Sequence, residues 1–307
     1  MVDRPDSARH FPIVDAHHHL WDLGRNYHPW LRDQPPIPFR YGDYGRLRRD
    51  YQVEDYRRDS ASFDVVASVY VEAEWNPADP VGESQWIDGQ AEQFGLPNAI
   101  VAQAWLDSDD IGEVLAKQAS FARVVSVRHK PSASPDPRSL ERGAKGSMGD
   151  PKWRRGFAML EHHGLAFDLQ TPYWHLGEAY ELACDFPHTT IILNHTGLPA
   201  DRSAAGLADW RRAMQQLALA DNVMVKISGL GQPGVAWTVE SNGPIVLDTI
   251  ALFGVDRCMF ASNFPVDGLV ADFETIYGGF MRIVEHLPLG DQEKLFCDNA
   301  RRIYRTG

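Results

Sequence analysis

Phe11-Pro12-Ile13-Val14-Asp15-Ala16-His17-His18-His19-Leu20-Trp21-Asp22 is a short, largely apolar run that ends in three histidines. Read as a strand, Ile13–Ala16 carries those polar side chains at its C-terminal end. The same unit recurs along the chain. Val65–Val71, Ala99–Ala104, Val124–Val127, Leu165–Leu169, Thr190–Leu193, Val223–Ile227 and Cys258–Ala261 are all short and rich in Val and Ile. Most are apolar at consecutive positions rather than alternating ones, which suits strands covered on both faces, as in a parallel sheet. Helix-like stretches lie between them: Val81–Phe94, Trp153–His162, Trp174–Cys184, Leu207–Ala220, Ile245–Phe253, Phe273–Glu285 and a closing Asp291–Tyr304. Gly95, Gly164 and Gly254 follow helical runs as C-terminal caps. Eight strand-and-helix units fit an α/β fold of the (β/α)8 TIM-barrel type better than an open doubly wound sheet. No composition break divides residues 1–307, so one barrel domain is expected. Two loops are long, Asp22–Asp50 and Pro131–Pro151. The first carries Tyr27, Trp30, Phe39 and Tyr41 and reads as an ordered lid after strand 1.

In a barrel the chemistry sits at the C-terminal ends of the strands. Polar residues collect there. Strand 2 ends in Glu72-Ala73-Glu74, and strand 3 runs on to Gln103 and Asp107. Strand 4 ends in Arg128-His129-Lys130, strand 5 in Asp168-Leu169-Gln170, and strand 6 in Asn194-His195. Strand 7 carries Lys226 and Ser228. Strand 8 ends in Ser262-Asn263, with Asp267 just beyond. Buried ionisable groups are costly unless paired or used, so their recurrence at strand ends points to a site. Side chains two apart on a strand share a face, so Asp15, His17 and His19 point one way and His18 the other, towards packing helices. Two neutral imidazoles at that spacing can hold one metal ion, and His195 in the same mouth makes a third candidate ligand. Arg128 suits an anion through its planar fork, and Lys226 as a point charge. Either can instead pair structurally with Glu72, Glu74 or Asp168. Trp21, Tyr173 and Trp174 lie just past strand ends and read as pocket walls or as core.

Acidic residues outnumber basic ones by 42 to 30, a net charge of −12. With no basic block, the chain lacks the cationic footprint of a nucleic-acid binder. No run approaches the ~18 apolar residues of a membrane span. Met1 to Phe11 shows no apolar secretory segment, which makes the cytoplasm the expected location. Cys184, Cys258 and Cys297 are too far apart for a zinc ribbon or a redox dithiol and read as buried free thiols. G-x-S-x-G, H-E-x-x-H and G-x-G-x-x-G are all absent.

Val14-Asp15-Ala16-His17-His18-His19-Leu20-Trp21-Asp22 resembles the D-x-H-x-H strand-1 signature of the amidohydrolase superfamily. In detail it is similar to the branch of sugar-acid lactonases and 2-pyrone-4,6-dicarboxylate lactonase. Ile192-Leu193-Asn194-His195-Thr196-Gly197-Leu198-Pro199 resembles that branch's strand-6 motif, and Lys226-Ile227-Ser228-Gly229-Leu230 its strand 7. Met259 to Pro265 occupies the place of its strand-8 motif. Asp298-Asn299-Ala300 with Tyr304-Arg305 resembles its closing helix. The resemblance implies hydrolysis of a lactone, with the histidines around a metal or the substrate carbonyl and a strand-8 aspartate as general base. The chain departs there, because Asn263 stands where Asp is usual and an amide is no base.

The expected enzyme therefore opens a small anionic or sugar-acid lactone. His17, His19 and His195 polarise the ester carbonyl, directly or through one divalent ion, zinc ahead of manganese. Asn263 sits at the reacting water, and Asp267 replaces it as proton acceptor unless it merely caps the next helix. Arg128, Lys226, Glu72, Asp168, Gln170, Tyr173 and Trp21 make up the expected substrate-binding set. The expected partner is the small lactone, with no nucleic acid or membrane; a homodimer is compatible with the chain. The rivals are a metal-dependent decarboxylase of the same superfamily and a non-catalytic barrel that has lost the strand-8 aspartate.

Overall fold

The computed structural model describes residues 11–307; the segment read above for a secretory signal lies outside them apart from Phe11. Eight strands pair in parallel and in chain order: β1 Ile13–His18, β2 Val65–Val71, β3 Ala99–Gln103, β4 Val124–Arg128, β5 Ala166–Leu169, β6 Ile191–Leu193, β7 Val223–Ile227 and β8 Cys258–Phe260. The ring closes just past β8. The Asn263 N–H donates to the His17 carbonyl (2.8 Å) and the His19 N–H to the Phe264 carbonyl (2.7 Å). This closure hangs the strand-8 loop directly beside the histidines of β1.

Val14, Ala16, Val69, Val71, Val101, Ile192, Met259 and Ala261 fill the barrel interior. Cys297, Ala300 and Tyr304, from the end of the chain, pack against them among residues at the N-terminal ends of the strands. One rung nearer the mouth the interior turns polar. Asp168 accepts from Ser126 Oγ (2.8 Å), Asn194 Nδ2 (2.9 Å) and the Tyr304 hydroxyl (3.0 Å), and pairs with Lys226 Nζ at 2.6 Å. The other face of each strand packs on helices, among them Pro80–Phe94, Ala204–Leu217, Val239–Phe253 and Phe273–Val284.

The lid is ordered by its own aromatic residues. Trp30 and Phe39 stack at 5.7 Å, Tyr44 packs on both, and the Tyr44 hydroxyl donates to the Trp30 carbonyl (3.0 Å). Three helices were not expected, the first a single turn, Pro29–Arg32, within the lid. Val53–Asp59 buries only Val53 and Tyr56, too little apolar surface to show a period, and is held by a Gln52–Asp55 capping box. Ile111–Gln118 is similarly short. All three cysteines are free; Cys258 and Cys297 are buried as expected, whereas Cys184 is exposed. Among the described residues no helix is long and apolar enough to cross a membrane.

Candidate active site at the barrel mouth

The register of β1 slips between Asp15 and His18. That slip breaks the two-residue spacing and turns Asp15 outwards, a correction to its expected place beside His17. Asp15 accepts from the Tyr56 hydroxyl (2.8 Å), Ser262 Oγ (2.6 Å) and the Tyr277 hydroxyl (3.1 Å), and so ties β1 to two helices and to the strand-8 loop. His18 faces outwards as well, stacked 4.3 Å from Tyr56 with Nε2 3.0 Å from Ser68 Oγ. His17 and His19 face the mouth, their Nε2 atoms 3.2 Å apart. His19 Nδ1 lies 2.8 Å from the Val71 carbonyl, so it must carry the proton, which leaves a lone pair on Nε2. His195 packs on His17 with ring centroids 4.7 Å apart and is anchored through Nδ1 to Ser228 Oγ (2.9 Å). Its Nε2 takes no hydrogen bond among the described residues and is not sealed from the cavity. Burial, then the neighbouring cations and imidazoles, holds His17, His19 and His195 well below the usual histidine range, so all three are neutral at pH 7.

Asn263 has φ +55°, a left-handed conformation that a non-glycine residue adopts only under constraint. Its Nδ2 donates to Asp267 Oδ1 (2.7 Å), which leaves Oδ1 of Asn263 as the atom turned to the cavity. The same Asp267 oxygen accepts from the Tyr41 hydroxyl (2.8 Å) and meets Arg40 Nη2 at 3.5 Å. Asp267 is 1% exposed, and burial raises its carboxyl above the usual range. It is no helix cap: Asp272 caps Phe273–Val284, accepting from the Thr275 N–H (2.8 Å). Nor does Asp267 line the cavity. It stands behind Asn263, joined to Asn263 and Tyr41 by hydrogen bonds and close to Arg40.

The cavity measures about 290 Å³ and is lined by His19, His195, Asn263, Arg128 and Gln170, with Phe39 and Arg40 from the lid. A larger open groove of about 790 Å³ lies outside the barrel between Arg46 and Glu274, but holds none of the histidines. Several of the expected substrate-binding residues are held by protein partners, as the alternative reading allowed. Arg128 faces the cavity, yet its Nε is on Glu72 Oε1 (2.5 Å) and its Nη1 on Gln170 Oε1 (3.1 Å), so Glu72 and Arg128 compensate one another. Lys226 and Asp168 form the fully buried pair described above and do not reach the cavity. Trp21 is sealed against Trp30 and Tyr51, with its N–H on the Arg49 carbonyl (2.7 Å). Tyr173 packs on Trp174, away from the lining. Gln170 remains at the wall. Missed by the sequence reading was Arg40 of the lid; Tyr41 was expected in the lid and Glu74 at the strand-2 end, but not the pairing of Glu74 with Lys130 across the strand-2 and strand-4 ends. Like-numbered strand-end positions of opposite charge were the available signal for the last pair; nothing local marks Arg40.

Two donors on one tetrahedral ion with bonds of ~2.0–2.1 Å stand about 3.3 Å apart. The His17 and His19 Nε2 separation of 3.2 Å fits that, and the carbonyl bond at His19 Nδ1 is the usual outer support of a ligating imidazole. The expected set of three ligands is not assembled. Among the described residues no three His, Cys, Asp or Glu side chains converge on one point, because Ser228 holds His195 tilted by 39° over the His17 ring rather than beside the pair.

The family model described as Amidohydrolase matches residues 14–306. The uncharacterized protein y4mH of Sinorhizobium fredii is 40% identical over 300 residues, 96% of this chain and 98% of its own length. An L-fucono-1,5-lactonase of Burkholderia multivorans is 24% identical, with 95% of each chain covered. A crystal structure of an amidohydrolase from Burkholderia multivorans with bound zinc superposes with a TM-score of 0.78 at 23% identity, covering 96% of this chain and 99% of that one. With the family match spanning nearly the whole barrel, the chain belongs to the amidohydrolase family.

Proposed function

We propose that the protein is a lactonase, which opens a small cyclic ester by attack of water on its ring carbonyl. The observation that carries this is the convergence of neutral His19 and His195 with the Asn263 amide on one cavity, with His17 buried directly against both histidines. Its volume is at the small end of ligand sites and suits a single ring rather than a chain. The lactonase named among the relatives supports the same reaction class. Asn263 Oδ1 accepts a hydrogen bond from the attacking water and orients it. His195 Nε2 takes the proton as oxygen bonds to the carbonyl carbon, then returns it to the ring oxygen as the ester C–O bond breaks. His17 and His19 are the residues that would hold one divalent ion, zinc ahead of manganese, which supplies Lewis-acid polarisation of the carbonyl when bound. Asp267 pins the Asn263 amide so that its oxygen, not its NH2, meets the water.

Metal analysis of the purified chain, followed by a lactone panel read by proton release, tests the reading. His195→Ala should lower kcat by roughly 10²–10⁴ with little change in melting temperature. Near wild-type turnover in that variant, or a silent panel beside carbon dioxide release from hydroxybenzoates, would overturn it.

A further inference from the structure

Of the cations at or beneath the mouth, Arg128, Lys130 and Lys226 are spent on partners within the strand ends. Arg128 spends Nε on Glu72, Nη1 on Gln170 and Nη2 on the Glu72 carbonyl (2.5 Å). Lys130 pairs with Glu74, and Lys226 with Asp168. Arg40 differs. Its one carboxylate contact among the described residues is the 3.5 Å approach to Asp267 Oδ1, an oxygen already taking the Tyr41 hydroxyl and the Asn263 amide. The guanidinium carbon lies 4.5 Å over the Tyr41 ring, which steadies the group without using its N–H donors. The side chain is 29% exposed and lines the cavity.

Its position relative to the chemistry follows from Gly229. A Cβ there would stand 2.7 Å from His195 Nδ1 and 2.8 Å from Arg40 Nη2, so guanidinium and imidazole meet over the same stretch of backbone. Gly229 also has φ +64°, and a side chain would both strain the turn and part the two groups.

We propose, resting on the lactonase reading, that Arg40 is the specificity residue and that the substrate is a lactone carrying a carboxylate on its ring. The free N–H edge of Arg40 takes that carboxylate, while His195 and Asn263 address the ester. Recognition of charge thus lies in the lid, and the strand-end cations Arg128 and Lys226 are structural.

The test compares 5-oxotetrahydrofuran-2-carboxylate with its neutral counterpart 5-(hydroxymethyl)dihydrofuran-2-one, in the wild type, Arg40→Met and Arg40→Lys. Calorimetric binding of tetrahydrofuran-2-carboxylate, which has no ester to open, is measured in parallel. The wild type should prefer the carboxylate lactone by roughly 10- to 100-fold in kcat/KM, chiefly through KM. Arg40→Met should erase that preference at an unchanged melting temperature, and Arg40→Lys should keep part of it. Equal turnover of both lactones by the wild type, or an undiminished preference in Arg40→Met, overturns the role of Arg40 and leaves the lactonase reading standing. If neither lactone opens, but tetrahydrofuran-2-carboxylate binds the wild type and not Arg40→Met, the reaction is wrong and the anion site stands. Neither turnover nor binding overturns both.

Discussion

His18 offers a measurement of how tightly the β1 histidines are sealed. It is fully buried against Tyr56, and burial pushes its imidazole down to about 3, from an ordinary 6.5. In the unfolded chain it titrates near 6.5. Above 6.5 it is neutral in both states and contributes no pH dependence. As pH falls below 6.5 the unfolded state binds a proton that the folded state refuses, so stability is lost on the way down towards the folded value. One such group costs about 1.36 kcal/mol per pH unit, or about 2.7 kcal/mol between pH 6.5 and 4.5. Buried carboxyls such as Asp15 and Asp267, held above their usual range, act in the opposite direction. The clean quantity is therefore a difference between variants. His18→Phe with Ser68→Ala keeps the ring on Tyr56 and removes both the titrating group and its partner hydroxyl. Urea melts at pH 7.0, 6.0, 5.5 and 5.0 should show the wild type losing about one proton's worth of stability per pH unit more than the double variant. Parallel stability profiles would refute the reasoning, because His18 would then bind its proton in the folded state.

Three further outcomes follow from the site. Asp267→Ala strips the acceptor from the Tyr41 hydroxyl and the Asn263 amide, at about 1–3 kcal/mol each, and should melt early; Asp267→Asn keeps an oxygen in place and should turn over near the wild-type rate, whereas a fall of 10²-fold would restore Asp267 as the base. Lys226→Met leaves Asp168 uncompensated inside the barrel and should cost about 3–5 kcal/mol in chemical denaturation, partly regained in Lys226→Met with Asp168→Asn, which removes the charge and keeps an acceptor for Ser126, Asn194 and Tyr304; a stable variant with a raised KM would instead make Lys226 a substrate contact. The acid limb of kcat/KM should lie well below pH 6.5, since the proton acceptor His195 is held down by burial and by Arg40; half-maximal activity at 6.5 or above would remove His195 from that role.

Much of the fold was legible because barrel strands are covered on both faces and therefore read as unbroken apolar runs. Val65–Val71 and Val223–Ile227 match the structure to the residue. Of the helices that escaped notice, Val53–Asp59 buries too little for a period to emerge, whereas Ile111–Gln118 carries one, with Ile111, Val114, Leu115 and Gln118 on its buried face, and was legible but overlooked. At the site, spacing along a strand told which face a side chain shares but not how deep it lies. Lys226 and His19 both point inwards; Lys226 pairs a rung below the mouth, while His19 reaches the cavity. Partnership was legible only as an alternative: the sequence allowed Arg128 to clamp an anion or to pair with Glu72, and only the fold, which sets Glu72 56 residues away in sequence and 2.5 Å away in space, decides between them. Arg40 comes from a loop whose path is set by Trp30, Phe39 and Tyr44 packing on one another, a tertiary fact with no local signature.

The strand-8 departure becomes intelligible in the same terms. Asn263 and Asp267 are one hydrogen-bonded unit, 2.7 Å apart and sealed from bulk water. An aspartate at 263 would set two carboxyls at that separation, and like charges so close cannot both ionise. One would keep a proton, and the oxygen facing the cavity would be charged or neutral according to how the pair shared it. With asparagine in front and aspartate behind, charge and orientation are both settled. The carboxylate pins the NH2, the amide offers a neutral oxygen to the water, and Tyr41 and Arg40 of the lid close on the same acceptor. The carboxyl four residues on, Asp267, couples the lid to the mouth. In the proposed mechanism the base duty passes to His195, an imidazole that burial has already made neutral.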